Sequence, residues 1–382
     1  VHIEEIPARE AIYGVLEKPL PECIEAYLNR KSIKLYSHQA CAINKIRKGK
    51  NVVIVTPTAS GKTLSFNLPV FEELYTDKES TALYLYPTKA LTNDQLKVLR
   101  ELEKETGIDA FPNVYDGDTP SHQRSNIRES SNIILSNPYG LHKYLSWHYK
   151  WRSFFHNLKF VIIDEGHVYR GVFGSNVAML IRRLLRICER YGSKPQIIVS
   201  SATIANPEEH AQRLTGKSFE VITNDGSARG KKYFVFWNPP FTDALRAIRR
   251  STHQETKDLF VLSISENLQT LCFTVSRQMA ELIVRWTRND LKRKRALPGV
   301  AEAVTAYRAG YLPQERRAIE DKLRTKTLVG VASTNALELG IDIGSLDSII
   351  ISGYPGTVIS TWQQAGRGGR TNADSIVTLV AF

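Results

Sequence analysis

Cysteine is scarce in this 382-residue chain: four residues, Cys23, Cys41, Cys188 and Cys272, with no Cys-x-x-Cys pair. That scatter excludes a four-cysteine zinc site and leaves no disulfide framework. Long apolar runs are missing too, since none approaches the ~20 residues that crossing a bilayer requires. No secretory signal pattern opens the chain. The expectation is a soluble protein in a reducing compartment, cytoplasm or nucleoid (the nucleus if the source is eukaryotic), with no membrane partner. Acidic residues are outnumbered, 39 Asp and Glu against 51 Lys and Arg, for a net charge of +12. Such a surplus favours a polyanionic partner or a phosphate-bearing ligand. Val1 is not an initiator methionine and the sequence stops within an apolar, strand-like run, 376–382, so a piece of a longer protein is expected.

What is present is globular: 42% apolar and 24% charged residues, over a length that suits two or three domains of ~150 residues. Short apolar, β-branched runs alternate with longer stretches of helical period. They fall at 52–55, 82–86, 133–135, 160–163, 197–199 and 219–222, then at 233–237, 271–275, 328–331, 349–351 and 376–380. Runs this apolar read as parallel strands buried on both faces, with the helices as crossovers. The fold class is α/β. A Gly/Ser/charge stretch at 224–232 has linker composition and divides the chain into 1–230 and 231–382. Residues before Tyr36 form an N-terminal extension, with Glu and Lys spaced for a surface helix.

Thr56-Pro57-Thr58-Ala59-Ser60-Gly61-Lys62-Thr63 follows one apolar run and precedes a helical pattern. Strand, tight loop, Gly-Lys-Thr and helix is the context of a P-loop. Gly61 lets the backbone curl so that the N–H groups of the loop, from Thr58, Ala59 and Ser60 onward, face a nucleotide's phosphates. Lys62 adds a point charge, and the Thr63 hydroxyl is a ligand for Mg²⁺. The strict pattern opens with Gly, where this chain has Thr56.

Phe160-Val161-Ile162-Ile163-Asp164-Glu165 is an apolar strand capped by two carboxylates. At the C-terminal tip of a strand, where ligands of open α/β sheets bind, Asp164 can hold Mg²⁺. Glu165 is placed to polarise the attacking water. ATP with Mg²⁺ is the expected ligand.

Asp164-Glu165-Gly166-His167 is similar to motif II of the DEAD/DEAH-type superfamily 2 helicases, although a larger residue is usual at Gly166. The family's other motifs follow in order across residues 35–370. The segment around Gln39 resembles the one whose amide reads adenine. Pro87-Thr88-Lys89 resembles motif Ia, Ser136-Asn137-Pro138 motif Ib and Ser201-Ala202-Thr203 motif III. Ser276-Arg277 falls in a likeness of motif IV, and Thr334 and Asp342 in one of motif V. Gln363, Arg367 and Arg370 fall in one of motif VI. Tyr169-Arg170-Gly171-Val172-Phe173-Gly174-Ser175 and Gly353-Tyr354-Pro355-Gly356 are more narrowly similar to the MrfA/YprA-type repair helicases.

The resemblance implies two tandem RecA-like parallel-sheet domains of the P-loop NTPase class, the second one C-terminally truncated. It implies an ATP-dependent DNA helicase or translocase moving 3′ to 5′ on single-stranded or tailed duplex DNA, acting as a monomer in repair. By the same likeness Lys62, Asp164, Glu165, Gln363, Arg367 and Arg370 are catalytic, the two arginines as fingers on the γ-phosphate, and Asp342 meets the ribose. Pro87, Thr88, Lys89, Ser136 and Asn137 would grip nucleic acid, with Ser276, Arg277 and Thr334 doing so in the second half. His167, Ser201 and Thr203 would couple hydrolysis to movement. Arg182-Arg183 and Arg316-Arg317 read as solvated helix faces. Two alternatives stay open: an RNA helicase using the same motifs, and a non-catalytic nucleic-acid-binding module.

Overall fold

A computed structural model describes the chain apart from residues 59, 244, 246–247, 295–298, 309, 339, 341–342 and 370–372. The polypeptide forms two compact units, one of Ile12–Ser227 and one of Val1–Ala11 with Ala228–Phe382. The first strand, β1 (His2–Ile6), therefore belongs with the second unit.

The unit Ile12–Ser227 is built on β2 (Val52–Val55), β3 (Thr81–Leu85), β4 (Asn113–Val114), β5 (Ile133–Ser136), β6 (Leu158–Ile163), β7 (Gln196–Ser201) and β8 (Glu220–Ile222). Their spatial order is β4-β5-β3-β6-β7-β2-β8, and all pairs are parallel. Alternate residues of β2 feed opposite cores. Val52 and Ile54 pack with Phe66, Phe71 and Tyr84 on one face, and Val53 and Val55 with Leu83, Val161 and Ile181 on the other. Period-two side chains between two helical layers explain why these strands are apolar throughout. Register aligns the strand tips: Val55 pairs with Ser201, and Leu85 with both Ser136 and Ile163. The loops after β2, β3, β5, β6 and β7 thus leave one sheet edge together.

The second unit holds β9 (Lys232–Trp237), a ribbon of β10 (Phe241–Asp243) and β11 (Ile248–Arg249), and β12 (Thr270–Phe273), β13 (Val304–Tyr307), β14 (Gly330–Ser333), β15 (Ser348–Ser352) and β16 (Ser375–Val380). Its seven-stranded sheet runs β1-β9-β16-β15-β12-β14-β13. Among the described residues β1 is the one antiparallel strand of that sheet, pairing His2 with Phe236 through Ile6 with Lys232. Both sheets are RecA-like, as the helicase resemblance implied. The helix expected in the N-terminal extension is present at Glu22–Arg30, while residues 2–6 form a polar edge strand instead. Among the described residues, no helix is long and apolar enough to cross a membrane.

Candidate nucleotide and nucleic-acid sites

Between β2 and the helix Lys62–Thr76, the loop is tied from within. Thr56 Oγ1 and Ser60 Oγ lie 2.6 Å apart and both residues are buried, so the threonine that replaces the usual glycine closes the loop by a hydroxyl pair. Gly61 takes φ 78°, ψ 27°, the left-handed region. A Cβ there would stand 2.7 Å from Gln39 Nε2, which itself donates to the Gly61 carbonyl at 2.7 Å. Gln39 Oε1 accepts the Tyr36 N–H at 2.8 Å. The expected adenine reader thus clamps the phosphate loop to the start of helix Ser37–Arg47.

Lys62 Nζ crosses the loop to the carbonyls of Thr56 (2.7 Å) and Pro57 (2.9 Å). Loss of water pushes its pKa down, and the charges of Glu165, Asp164 and Asp225 oppose that shift. Thr58 and Thr63 are half-buried beside it. Ala59 lies outside the described residues.

At the tip of β6, Asp164 is buried and accepts hydrogen bonds from the Ser200 hydroxyl and, at 2.9 Å, from the Glu165 N–H. Burial pushes its pKa up to about 6 and the Glu165 charge adds to the rise, while the Ser200 and Glu165 hydrogen bonds and Lys62 restrain it. Glu165 sits at φ 51°, ψ 43°, a left-handed conformation that strains a residue with a Cβ. Gly166 packs on β7, where a Cβ would meet Val199 Cγ1 at 2.8 Å. This closeness accounts for glycine where a larger residue was expected.

His167 joins two strand tips. Its Nδ1 accepts the Ala202 N–H at 3.2 Å and lies 3.5 Å from Ser201 Oγ and 3.5 Å from Glu165 Oε2. An amide can only donate, so Nδ1 carries the lone pair. Ser201 is buried and Thr203 exposed. Ser200 and His210, whose Nε2 lies 2.9 Å from the Gly166 carbonyl, were not anticipated. Ser200 stands beside the Ser201-Ala202-Thr203 run, which was the available signal.

The expected nucleic-acid residues of this unit gather on the same edge, largely with their polar atoms occupied. Thr88 Oγ1 caps helix Lys89–Thr106 and Asn137 Oδ1 caps Pro138–Tyr144. Ser136 is fully buried and donates to the Tyr115 carbonyl at 2.6 Å. Lys89 is exposed and paired with Asp118 at 2.7 Å. Pro87, Lys89 and Asn137 line one cavity of about 370 Å³.

In the second unit, Ser276 Oγ accepts the Met279 N–H at 3.1 Å and Arg277 is exposed. Thr334 shares a cavity of about 440 Å³ with Thr274, Val275, Glu338, Tyr354 and Gln364. Gln363 is buried on helix Val358–Ala365. Arg367 is fully buried and its Nη2 donates to the Glu338 carbonyl at 2.7 Å; Gln364 Nε2 donates to the Glu338 carboxylate at 2.9 Å. Glu338, which lies in the motif V likeness but carries no assigned role there, is the hub of this cluster. Asp342 and Arg370 lie outside the described residues.

The chain matches the DEAD/DEAH box helicase family over residues 36–210 and the helicase conserved C-terminal domain over 253–372. It is 46% identical to the uncharacterized ATP-dependent helicase YprA of Bacillus subtilis, over all of this chain and 51% of that protein. With the ATP-dependent helicase HRQ1 of Saccharomyces cerevisiae it is 40% identical, over all of this chain and 36% of that one. The crystal structure of the DUF1998 helicase MrfA bound to DNA and AMPPNP superposes with a TM-score of 0.94 at 46% identity, covering all of this chain and 53% of the other. The chain thus spans about half the length of YprA and of MrfA.

Proposed function

The chain belongs to the DEAD/DEAH-type superfamily 2 helicases, of the MrfA/YprA type, and from that premise we propose that it hydrolyses ATP to translocate on DNA. The proposal extends to 3′ to 5′ movement on single-stranded or tailed duplex DNA, and to repair as the setting. One observation carries it: Lys62 follows β2 and Asp164 and Glu165 follow β6, the two strands that flank β7 in one sheet, and His167 lies between Glu165 and the Ser201-Ala202 tip of β7. DNA and AMPPNP bound to the MrfA relative support the choice of polymer and nucleotide.

In this reading the loop amides and Lys62 hold the β- and γ-phosphates, Lys62 exchanging the Thr56 and Pro57 carbonyls for phosphate oxygens. The Thr63 hydroxyl and Asp164 carboxylate would hold Mg²⁺. The set fits, because both are hard oxygen donors and Mg²⁺ takes few protein ligands beside phosphate and water. When bound, the ion supplies neutralising charge on the phosphates. Glu165 takes the proton of the attacking water, and Ser200 keeps the Asp164 carboxylate aimed. Arg370 supplies guanidinium charge to the γ-phosphate, Gln363 orients the water and Asp342 meets the ribose. Arg367 shares the work on the γ-phosphate and sets the path of its loop through Glu338. Thr88, Lys89, Asn137, Arg277 and Thr334 contact the DNA backbone, which makes the motor insensitive to sequence.

The deciding experiment is the ATPase rate with single-stranded DNA, with single-stranded RNA and with neither, for the wild type and Glu165→Gln. Stimulation by DNA that Glu165→Gln abolishes is the expected result. Stronger stimulation by RNA makes the chain an RNA helicase. Rates that ignore nucleic acid and the substitution alike make it a non-catalytic binding module.

A further inference from the structure

Beyond the motif loops, the face of the first unit carries a basic and aromatic surface for which the helicase motifs have no use. The segment His142-Lys143-Tyr144-Leu145-Ser146-Trp147-His148-Tyr149-Lys150-Trp151-Arg152 interleaves cations and rings. The cavity lined by Pro87, Lys89 and Asn137 is also lined by Tyr139 and Trp147. Tyr139 continues into a second cavity, of about 420 Å³, with Phe173 and Arg183. Arg183 continues into a third, an open depression of about 600 Å³ lined with Arg186, Arg190 and Ser146. Shared walls make the three one continuous track.

Its chemistry changes along its length. Tyr139 is 75% exposed and stacks on Phe173 at 5.9 Å and 21°, so its outer ring face is open. Trp147 is 45% exposed. Arg183, Arg186 and Arg190 lie on one stripe of helix Gly171–Arg190, spaced three and four residues apart. Among the described residues none of the three has a carboxylate partner, and Arg183 Nη2 makes only a 3.4 Å hydrogen bond to Ser146 Oγ. Lys89, at the other end of the track, is already neutralised by Asp118. Cations without a carboxylate partner thus continue along the helix stripe beyond the motif-loop cavity, which Arg124 and Lys143 also line.

We propose that this track holds a further stretch of single-stranded nucleic acid after it leaves the motif Ia and Ib loops. Unstacked bases lie on Tyr139 and Trp147, and phosphates lie on the Arg183, Arg186 and Arg190 stripe. Open π-faces beside unpaired guanidiniums suit a single strand, whose bases are free to stack, better than a duplex or an acidic peptide. The inference rests on the proposed nucleic-acid translocase and adds binding length to it. Arg183 then belongs to a contact surface, not to the solvated face its sequence suggested.

The test is fluorescence anisotropy with oligothymidylates of roughly 8 and roughly 20 nucleotides, the short one filling the motif loops alone. The proteins are the wild type, the triple variant Arg183→Gln, Arg186→Gln, Arg190→Gln, and Tyr139→Ala. The triple variant is expected to keep wild-type affinity for the short strand and to lose about tenfold or more for the long one. Its salt slope with the long strand should fall by about 2, from three single-strand phosphates at about 0.7 each. Tyr139→Ala should weaken the long strand about fivefold or more. Unstimulated ATPase and thermal unfolding of both variants should match the wild type, since none of these residues touches the nucleotide loops. Unchanged long-strand affinity and salt slope, or equal losses for both lengths, overturn the track. DNA binding that depends on the arginines without DNA-stimulated ATPase would instead leave the track standing and remove the translocase.

Discussion

His167 Nδ1 takes the backbone N–H of Ala202 at 3.2 Å while staying 3.5 Å from Glu165 Oε2. One imidazole thus touches the proposed water-activating carboxylate and the tip of β7. A shift of either tip would be felt at the other, as the proposed coupling of hydrolysis to movement requires.

His167→Ala should therefore separate two readouts. ATP turnover falls by less than about tenfold, because Glu165 and Asp164 remain, whereas strand displacement per ATP falls further. His167→Asn, whose Oδ1 can accept the Ala202 N–H, should recover part of the displacement. Parallel ATPase and unwinding assays check this, and equal losses in both would make His167 a plain active-site residue.

Gly166→Ala probes the packing beneath the same turn. The added Cβ would meet Val199 Cγ1 at 2.8 Å and the Ser200 carbonyl at 3.4 Å, in a core that cannot open freely. A cost of about 1–3 kcal/mol is expected. In a double-mutant cycle with Val199→Ala the two changes should couple by about 1 kcal/mol, since the second removes the clash. Denaturant midpoints measure it, and simple additivity would mean the turn relaxes without meeting β7.

Much of this was readable in advance, and the exceptions have a common cause. Strands β2, β3, β5, β6 and β7 lie inside a sheet covered on both faces, so burial left continuous apolar runs at 52–55 or 160–163. Edge strands carry a weaker signal: β8 still shows at 219–222, but β1 and β13 do not. β1 reads His-Ile-Glu-Glu-Ile, is exposed along most of its length and finds its partner at 232–236. β13 is likewise at an edge. In the site, Lys62, Asp164 and Glu165 announce themselves by spacing. The Gln39 bond to Gly61, the Thr56 bond to Ser60 and the Ser200 bond to Asp164 exist only once the loop closes. Glu338 acts on Arg367 through its backbone carbonyl, which no residue type predicts.

Lys232 predicts a pH dependence in the second unit. Its Nζ donates to the Ala365 carbonyl at 2.8 Å, at the end of helix Val358–Ala365. Burial, assisted by the nearby Arg229 charge, lowers its pKa to about 8. Below about 8 the amine is charged in both states and the folded state bears the full desolvation cost. Above the unfolded value of about 10.4 it is neutral in both and the cost is gone. The unit should therefore gain stability from this group as pH rises from about 8 to about 10, by up to about 3 kcal/mol. Lys232→Met should flatten that rise. Denaturation midpoints of both proteins between those pH values test it, and parallel curves would show that Lys232 stays solvated.

Arg367 separates a structural from a catalytic contribution. Its guanidinium is fully buried and Nη2 gives a 2.7 Å hydrogen bond to the Glu338 carbonyl. Arg367→Ala removes a buried donor and leaves a hole, so stability should fall by about 2–4 kcal/mol even without nucleotide. Arg367→Lys keeps the charge but not the planar fork, and should recover part of the stability while leaving turnover low. Arg370→Ala, in contrast, should lower turnover by about 10³-fold with ATP affinity within about threefold, as for a group that acts mainly in the transition state. Thermal unfolding, nucleotide titration and steady-state ATPase on the three variants resolve the assignment. If Arg367→Ala unfolds at the wild-type temperature yet loses turnover as fully as Arg370→Ala, its work lies on the γ-phosphate and the Glu338 bond is incidental.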